Sequence, residues 1–134
     1  EVGAVQSAVE AGAASADGCL VDRFIIPGVH EDVFTALGRS TIPTIGESLG
    51  VLEAFSVASL IEGADAAAKA ARVTLVEIRL AMALGGKAFV TMTGDVSSVQ
   101  AAVEAGKARI AEAGMLVNAV VIPRPHEDVY RETV

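Results

Sequence analysis

Aromatic, basic and sulfur-bearing residues are scarce in this chain. There is no Trp, and aromatic residues make up 4% of the sequence, so a deep core built on aromatic anchors is not expected. Lys and Arg number 10 against 17 Asp and Glu, a net charge of −7. Phosphate backbones need clustered cations with stacking aromatics, and an anionic membrane surface needs a basic face, so no nucleic-acid and no membrane partner is expected. A single Cys excludes an internal disulfide framework and fits the reducing cytoplasm. No apolar run reaches the roughly 18 residues of a spanning helix. The opening Glu1-Val2-Gly3 lacks the basic region of a secretory signal. No nucleophile–base pair and no metal-ligand spacing occur, so neither a catalytic residue nor a metal site is expected.

What is abundant is small and apolar. Hydrophobic residues make up 52% of the chain, mostly Ala and Val with Leu and Ile, far too many for a disordered segment. Small side chains let helices lie close on a sheet, which suits a thin, flat, tightly packed layer. The composition describes a soluble intracellular protein that assembles.

An internal repeat organises the chain. Val2, Val5, Gln6, Val9, Glu10, Ala11 and Gly12 recur in order as Val96, Val99, Gln100, Val103, Glu104, Ala105 and Gly106. Leu20-Val21 recurs as Leu116-Val117, Ile26-Pro27 as Ile122-Pro123, and His30-Glu31-Asp32-Val33 as His126-Glu127-Asp128-Val129. A two-residue length difference falls between the helix and the strand, where a loop absorbs it. The repeat unit spans about 95 residues, the size of a small domain. About 50 residues before the second copy have no counterpart before Glu1, so the chain is expected to begin inside its first module.

Patterning supplies the elements. Ser48–Phe55 reads as a strand, and Ser56 caps a helix over 57–71 with Ala58, Ile61, Ala64, Ala68 and Ala71 at helical spacing. Residues 73–81 alternate as a strand, with Val73, Leu75, Glu77 and Arg79 opposite Thr74, Val76, Ile78 and Leu80. Ala83-Leu84-Gly85-Gly86-Lys87 is a turn into a returning strand over 88–93. Asp95 or Gly94 caps the next helix, whose buried stripe is Val96, Val99, Val103 and Ile110, and Gly114 ends it. Leu116–Ile122 is a strand, and Pro125 suits the first turn of a terminal helix. The order β-α-β-β-α-β-α is an α+β, ferredoxin-like (split βαβ) module plus one helix. Residues 1–41 match its last three elements, α-β-α; residues 42–47 are the linker and 48–134 the complete module.

In this order and spacing the motifs resemble the shell domain of bacterial microcompartments, the BMC domain. They are Leu49-Gly50-Val51-Leu52-Glu53, the run Ala64-Asp65 through Lys69-Ala70-Ala71-Arg72-Val73, Gly85-Gly86-Lys87, Gly94-Asp95-Val96 and Val121-Ile122-Pro123-Arg124-Pro125-His126. The tandem arrangement is similar to the trimeric subclass, in particular the T-type shell proteins of propanediol-utilising compartments. The resemblance implies a structural shell protein. A homotrimer forms a pseudohexameric disc that tiles with neighbouring shell hexamers and trimers, and small metabolites cross a central pore. It further implies that Ala83, Leu84, Gly85, Gly86 and Lys87 lie in the pore loop. Lys69 then packs along the disc edge near the turn of Arg124, Pro125 and His126; a solvated surface pair is the plain alternative. Gly28 stands where the second copy has Arg124, so adjacent edges of the disc should differ.

Other residues carry less. Lys87 either adds positive charge near the pore or starts an exposed strand. His30 and His126 precede Glu-Asp at helix starts, where terminal roles and the helix dipole account for them. Cys19, at the start of a strand, reads as a small buried hydrophobe. In the family relative a Cys of the first module's pore loop binds a [4Fe–4S] cluster; no residue here matches it, so no cofactor is expected in this chain. A shell trimer acting as a redox conduit through that loop, and a small-ligand regulator or enzyme on the same fold, are the alternative functions.

Overall fold

A computed structural model describes residues 1–38, 46–81 and 86–132, the last three by backbone alone. Helix α1 (Val2–Ala16) is followed by a 3-10 turn (Asp17–Cys19), an extended run and helix α2 (Glu31–Leu37). The second part holds β1 (Ser48–Ala54), α3 (Val57–Ala70), β2 (Thr74–Arg79), β3 (Ala88–Gly94), α4 (Val96–Glu112), β4 (Leu116–Pro123) and α5 (Glu127–Glu132). The sheet order is β2-β3-β1-β4 with every pairing antiparallel, the ferredoxin-like plan expected from the sequence.

Local chemistry sets the helix boundaries. Ser56 accepts a hydrogen bond from the Ser59 N–H at 3.2 Å and caps α3. At the start of α4 the cap is Asp95, which accepts from the Ser98 N–H at 2.8 Å. Hydroxyls of Ser97 and Ser98 bond the same carboxylate, and together they hold its pKa down at about 2. Gly114, at φ 69°, reverses the chain beyond α4 as anticipated.

Helices α3 and α4 pack on the sheet over Leu52, Leu75, Val90 and Met92, all fully buried. Each such side chain contributes on the order of 2 kcal/mol on burial. The helices approach so closely that a Cβ on Gly106 would lie 2.7 Å from the Gly63 carbonyl oxygen and 2.5 Å from a Leu52 methyl. This is the close small-residue packing that the Ala- and Gly-rich composition implied.

Several expectations are corrected. The strand expected after α1 is an extended run, residues 20–26, with no ladder among the described residues, whereas β4, its counterpart in the repeat, pairs with β1. Strict alternation in β2 fails at an irregularity between Leu75 and Glu77, which puts Leu75 and Ile78 both in the core. Helix α3 buries Leu60, Ala64 and Ala67 most fully, while Ala58 and Ile61 of the expected stripe are half-buried. Val96 is likewise half-buried, and Ala102 takes its place in the α4 stripe. Pro125 precedes α5 instead of sitting in its first turn.

Candidate assembly site

The first copy of the repeat ends in an arm that lies against α3. Its anchor is Asp22, whose carboxylate accepts the Ser56 hydroxyl and, at 2.8 Å, the Ser59 hydroxyl, both at the start of α3. Burial alone would push the Asp22 carboxyl up. The two serines, with the Arg23 and Ser59 N–H groups, outweigh that and hold it below the ordinary range. Beyond it, Ile25, Ile26 and Pro27 line a small cavity with Glu62, Asp65, Lys69 and Arg109. The His30 N–H then donates to Asp65 at 2.8 Å, and Lys69 pairs with the other oxygen of Asp65 at 2.6 Å. The arm closes with α2, which packs on β2 and α3 and buries Val33 and Ala36 completely.

This arm explains why α3 buries acids. Glu62 is 7% exposed and Asp65 5%. Glu62 pairs with Arg109 on α4, yet desolvation still raises its pKa above the usual carboxylate value. The arm covers a helix face that would otherwise be solvated, so burial here comes from the first copy of the repeat.

The second copy repeats parts of the arm's local geometry, with the paired strand β4 where the first copy has an extended run. Asn118 stands in the place of Asp22, and each side-chain oxygen accepts from the next residue's N–H, at 2.9 and 2.8 Å. His126 stands in the place of His30, and each Nδ1 accepts from the N–H two residues on at 3.3 Å. Between them Arg124 has φ 47° where its counterpart Gly28 has φ 67°. Residues 48–125 match the family model of the BMC domain. The chain belongs to the BMC-domain family. It is 40% identical, along its full length and 73% of the relative's, to the bacterial microcompartment shell protein PduT of Citrobacter freundii. Over 83 residues it is 43% identical to the shell protein EutM of Salmonella typhimurium, covering 62% of this chain and 84% of the relative. A solved microcompartment protein of Desulfitobacterium hafniense superimposes with a TM-score of 0.86 at 52% identity, over 98% of this chain and 73% of that one.

Within the BMC module the residues singled out by sequence are spread across separate elements. Lys69 lies in the last turn of α3, its side chain 42% exposed. Arg124, exposed, follows β4, with its N–H donating to the Glu47 carbonyl at 2.7 Å. No hydrogen bond links Lys69 to the Arg124-Pro125-His126 turn among the described residues. Pro125 is half-buried and leads into His126, which caps α5 as expected of a helix-terminus histidine. Of the expected pore loop, Ala83, Leu84 and Gly85 lie outside the described residues. Gly86 has φ 100°, which only glycine adopts readily. Lys87 is half-buried and pairs with Glu53 on β1 at 2.9 Å, 5.7 Å from the Phe55 ring centre. Its charge is therefore balanced within the module, which favours a structural role over that of a bare positive charge.

Cys19 is exposed in the 3-10 turn, against the expectation of a buried strand residue. As the sole thiol, outside the turn that leads to β3, it does not fit the ligation of an iron–sulfur cluster. Sequence reasoning missed Asp22, Asp65 and Asn118. The available signal was the alignment of Asp22 with Asn118, two polar residues at one position in mostly apolar segments.

Proposed function

We propose that the protein is a structural tile of a microcompartment shell, not an enzyme. In this reading residues 1–41 are the C-terminal half of a first BMC module, and three chains close into a pseudohexameric disc with a central pore for small metabolites. The observation that carries it is the duplicated arm: a module plus a half-module, alike in sequence and in turn geometry, is what a ring of alternating, quasi-equivalent modules requires. The uncovered face of α1 supports the half-module. Val5 is 48% exposed where its counterpart Val99 is fully buried.

The disc tiles with neighbouring shell hexamers and trimers through Lys69 and the Arg124-Pro125-His126 turn. Contacts repeated along every edge give a stable layer even when each is weak. Arg124 supports this role. It holds a left-handed backbone ahead of a proline, a place its counterpart fills with glycine, so the arginine side chain is retained against a backbone cost. With Gly28 at the other edge, tiles meet in restricted orientations.

Purified protein should form ordered sheets by negative-stain electron microscopy, and Lys69→Ala with Arg124→Ala should abolish them while leaving the discs whole. Sheets formed by the double variant would refute the edge assignment.

A further inference from the structure

We propose that Asp17-Gly18 is a site of covalent backbone modification, at which the folded chain itself drives aspartate through a succinimide to isoaspartate. The observation that carries it is the backbone of Asp17, at φ 46° and ψ −129°.

Helix α1 stops at Ala16, and the 3-10 turn over Asp17–Cys19 leads towards the arm. At the matching end of α4 a glycine takes the positive φ: Ala113 stays near-helical at φ −82°, ψ −3°, and Gly114 has φ 69°. In the first copy the positive φ falls one position earlier, on Asp17, although Gly18 stands where the second copy has Gly114. The Asp17 angles are those of the first central residue of a type II′ turn, a position glycine favours. An aspartate held there is strained.

The strain has a chemical direction. Around the Cα–C bond of an L-residue, Cβ stands about 120° from the residue's own nitrogen. With ψ at −129°, the Asp17 Cβ comes within about 10° of eclipsing the Gly18 nitrogen. A succinimide ring needs that near-planar arrangement, so a side-chain rotation alone brings Cγ to the nitrogen. Asp95 shows the contrast, since its ψ of 158° turns Cβ away from the Val96 nitrogen. Glycine also leaves the attacking nitrogen without a neighbouring side chain, and the sequence has no other Asp-Gly and no Asn-Gly step. Both residues are exposed, so water reaches them.

In the reaction the Gly18 N–H gives up its proton, its nitrogen bonds to Cγ of the protonated Asp17 carboxyl, and one water leaves. Water then adds back at either ring carbonyl. Opening at Cγ restores aspartate. Opening at the α-carbonyl breaks its bond to the Gly18 nitrogen and leaves the chain running through Cβ and Cγ. Mass is unchanged, no oxidant or reductant is consumed, and the main chain between α1 and the arm gains one bond.

The test is incubation of the full-length protein at neutral pH and physiological temperature, beside a synthetic peptide of residues 10–24. Isoaspartate is read as lost cleavage between Ala16 and Asp17 by a protease that cuts before aspartate, at unchanged mass. The folded protein should isomerise at least about tenfold faster than the peptide, the gain expected of a pre-aligned reacting pair. Gly18→Ala should slow the folded protein at least about tenfold, because its Cβ crowds the attacking nitrogen. That variant should keep the fold, since a Cβ on Gly18 meets nothing within 4 Å among the described residues. A folded protein no faster than the peptide overturns the proposal, and so does a folded Gly18→Ala variant as fast as wild type. Should Gly18→Ala not fold, the comparison of protein with peptide decides alone.

Discussion

Arg124 is the residue at which the sequence-level difference between the two copies acquires a physical meaning. The pairing of Gly28 with Arg124 is visible in the alignment, but the left-handed backbone they share is not, because nothing in residue identity reports φ outside a glycine. An L-residue in that region costs roughly 1–2 kcal/mol. Arg124→Gly should therefore stabilise the fold by about 1 kcal/mol in chemical denaturation, and unchanged or reduced stability would show the turn to be unstrained. Asp22 was hidden for a different reason. Its partners Ser56 and Ser59 are more than thirty residues away in sequence, and only the fold brings them to the same carboxylate.

Elements set by local patterning were legible, and those set by tertiary partners were not. The caps at Ser56 and Asp95, the turn at Gly114 and the sheet order all follow from nearby residues. Periodicity assumed a regular ladder in β2 and so missed the irregularity that turns both Leu75 and Ile78 inward. It also read residues 20–26 as a strand, although a strand exists only beside another. The glycines of α1 and α4 make the same point in testable form. A Cβ on Gly106 would press into the Gly63 carbonyl and Leu52, while one on Gly12, its counterpart, meets nothing within 4 Å among the described residues. Gly106→Ala should cost on the order of 1–3 kcal/mol through overpacking. If α1 belongs to a first module built like the second, Gly12→Ala in the full-length protein should lower the melting temperature comparably. A rise, the helix-propensity gain of an open site, would contradict the half-module.

At the scale of the whole molecule, residues 48–125 are a BMC domain, and the preceding part of the chain repeats some of its sequence. The first arm couples the two parts of the chain through α3. The fold and the family were readable from motif order because they depend on many small matches along the chain. The seating of the first arm on α3 was not, since it joins residues distant in sequence and leaves only Asp22 and Asp65 as traces. The most direct test of the shell-tile account is the native mass of the full-length protein at micromolar concentration. Three chains per particle is the predicted result; a particle of one or two chains would contradict it.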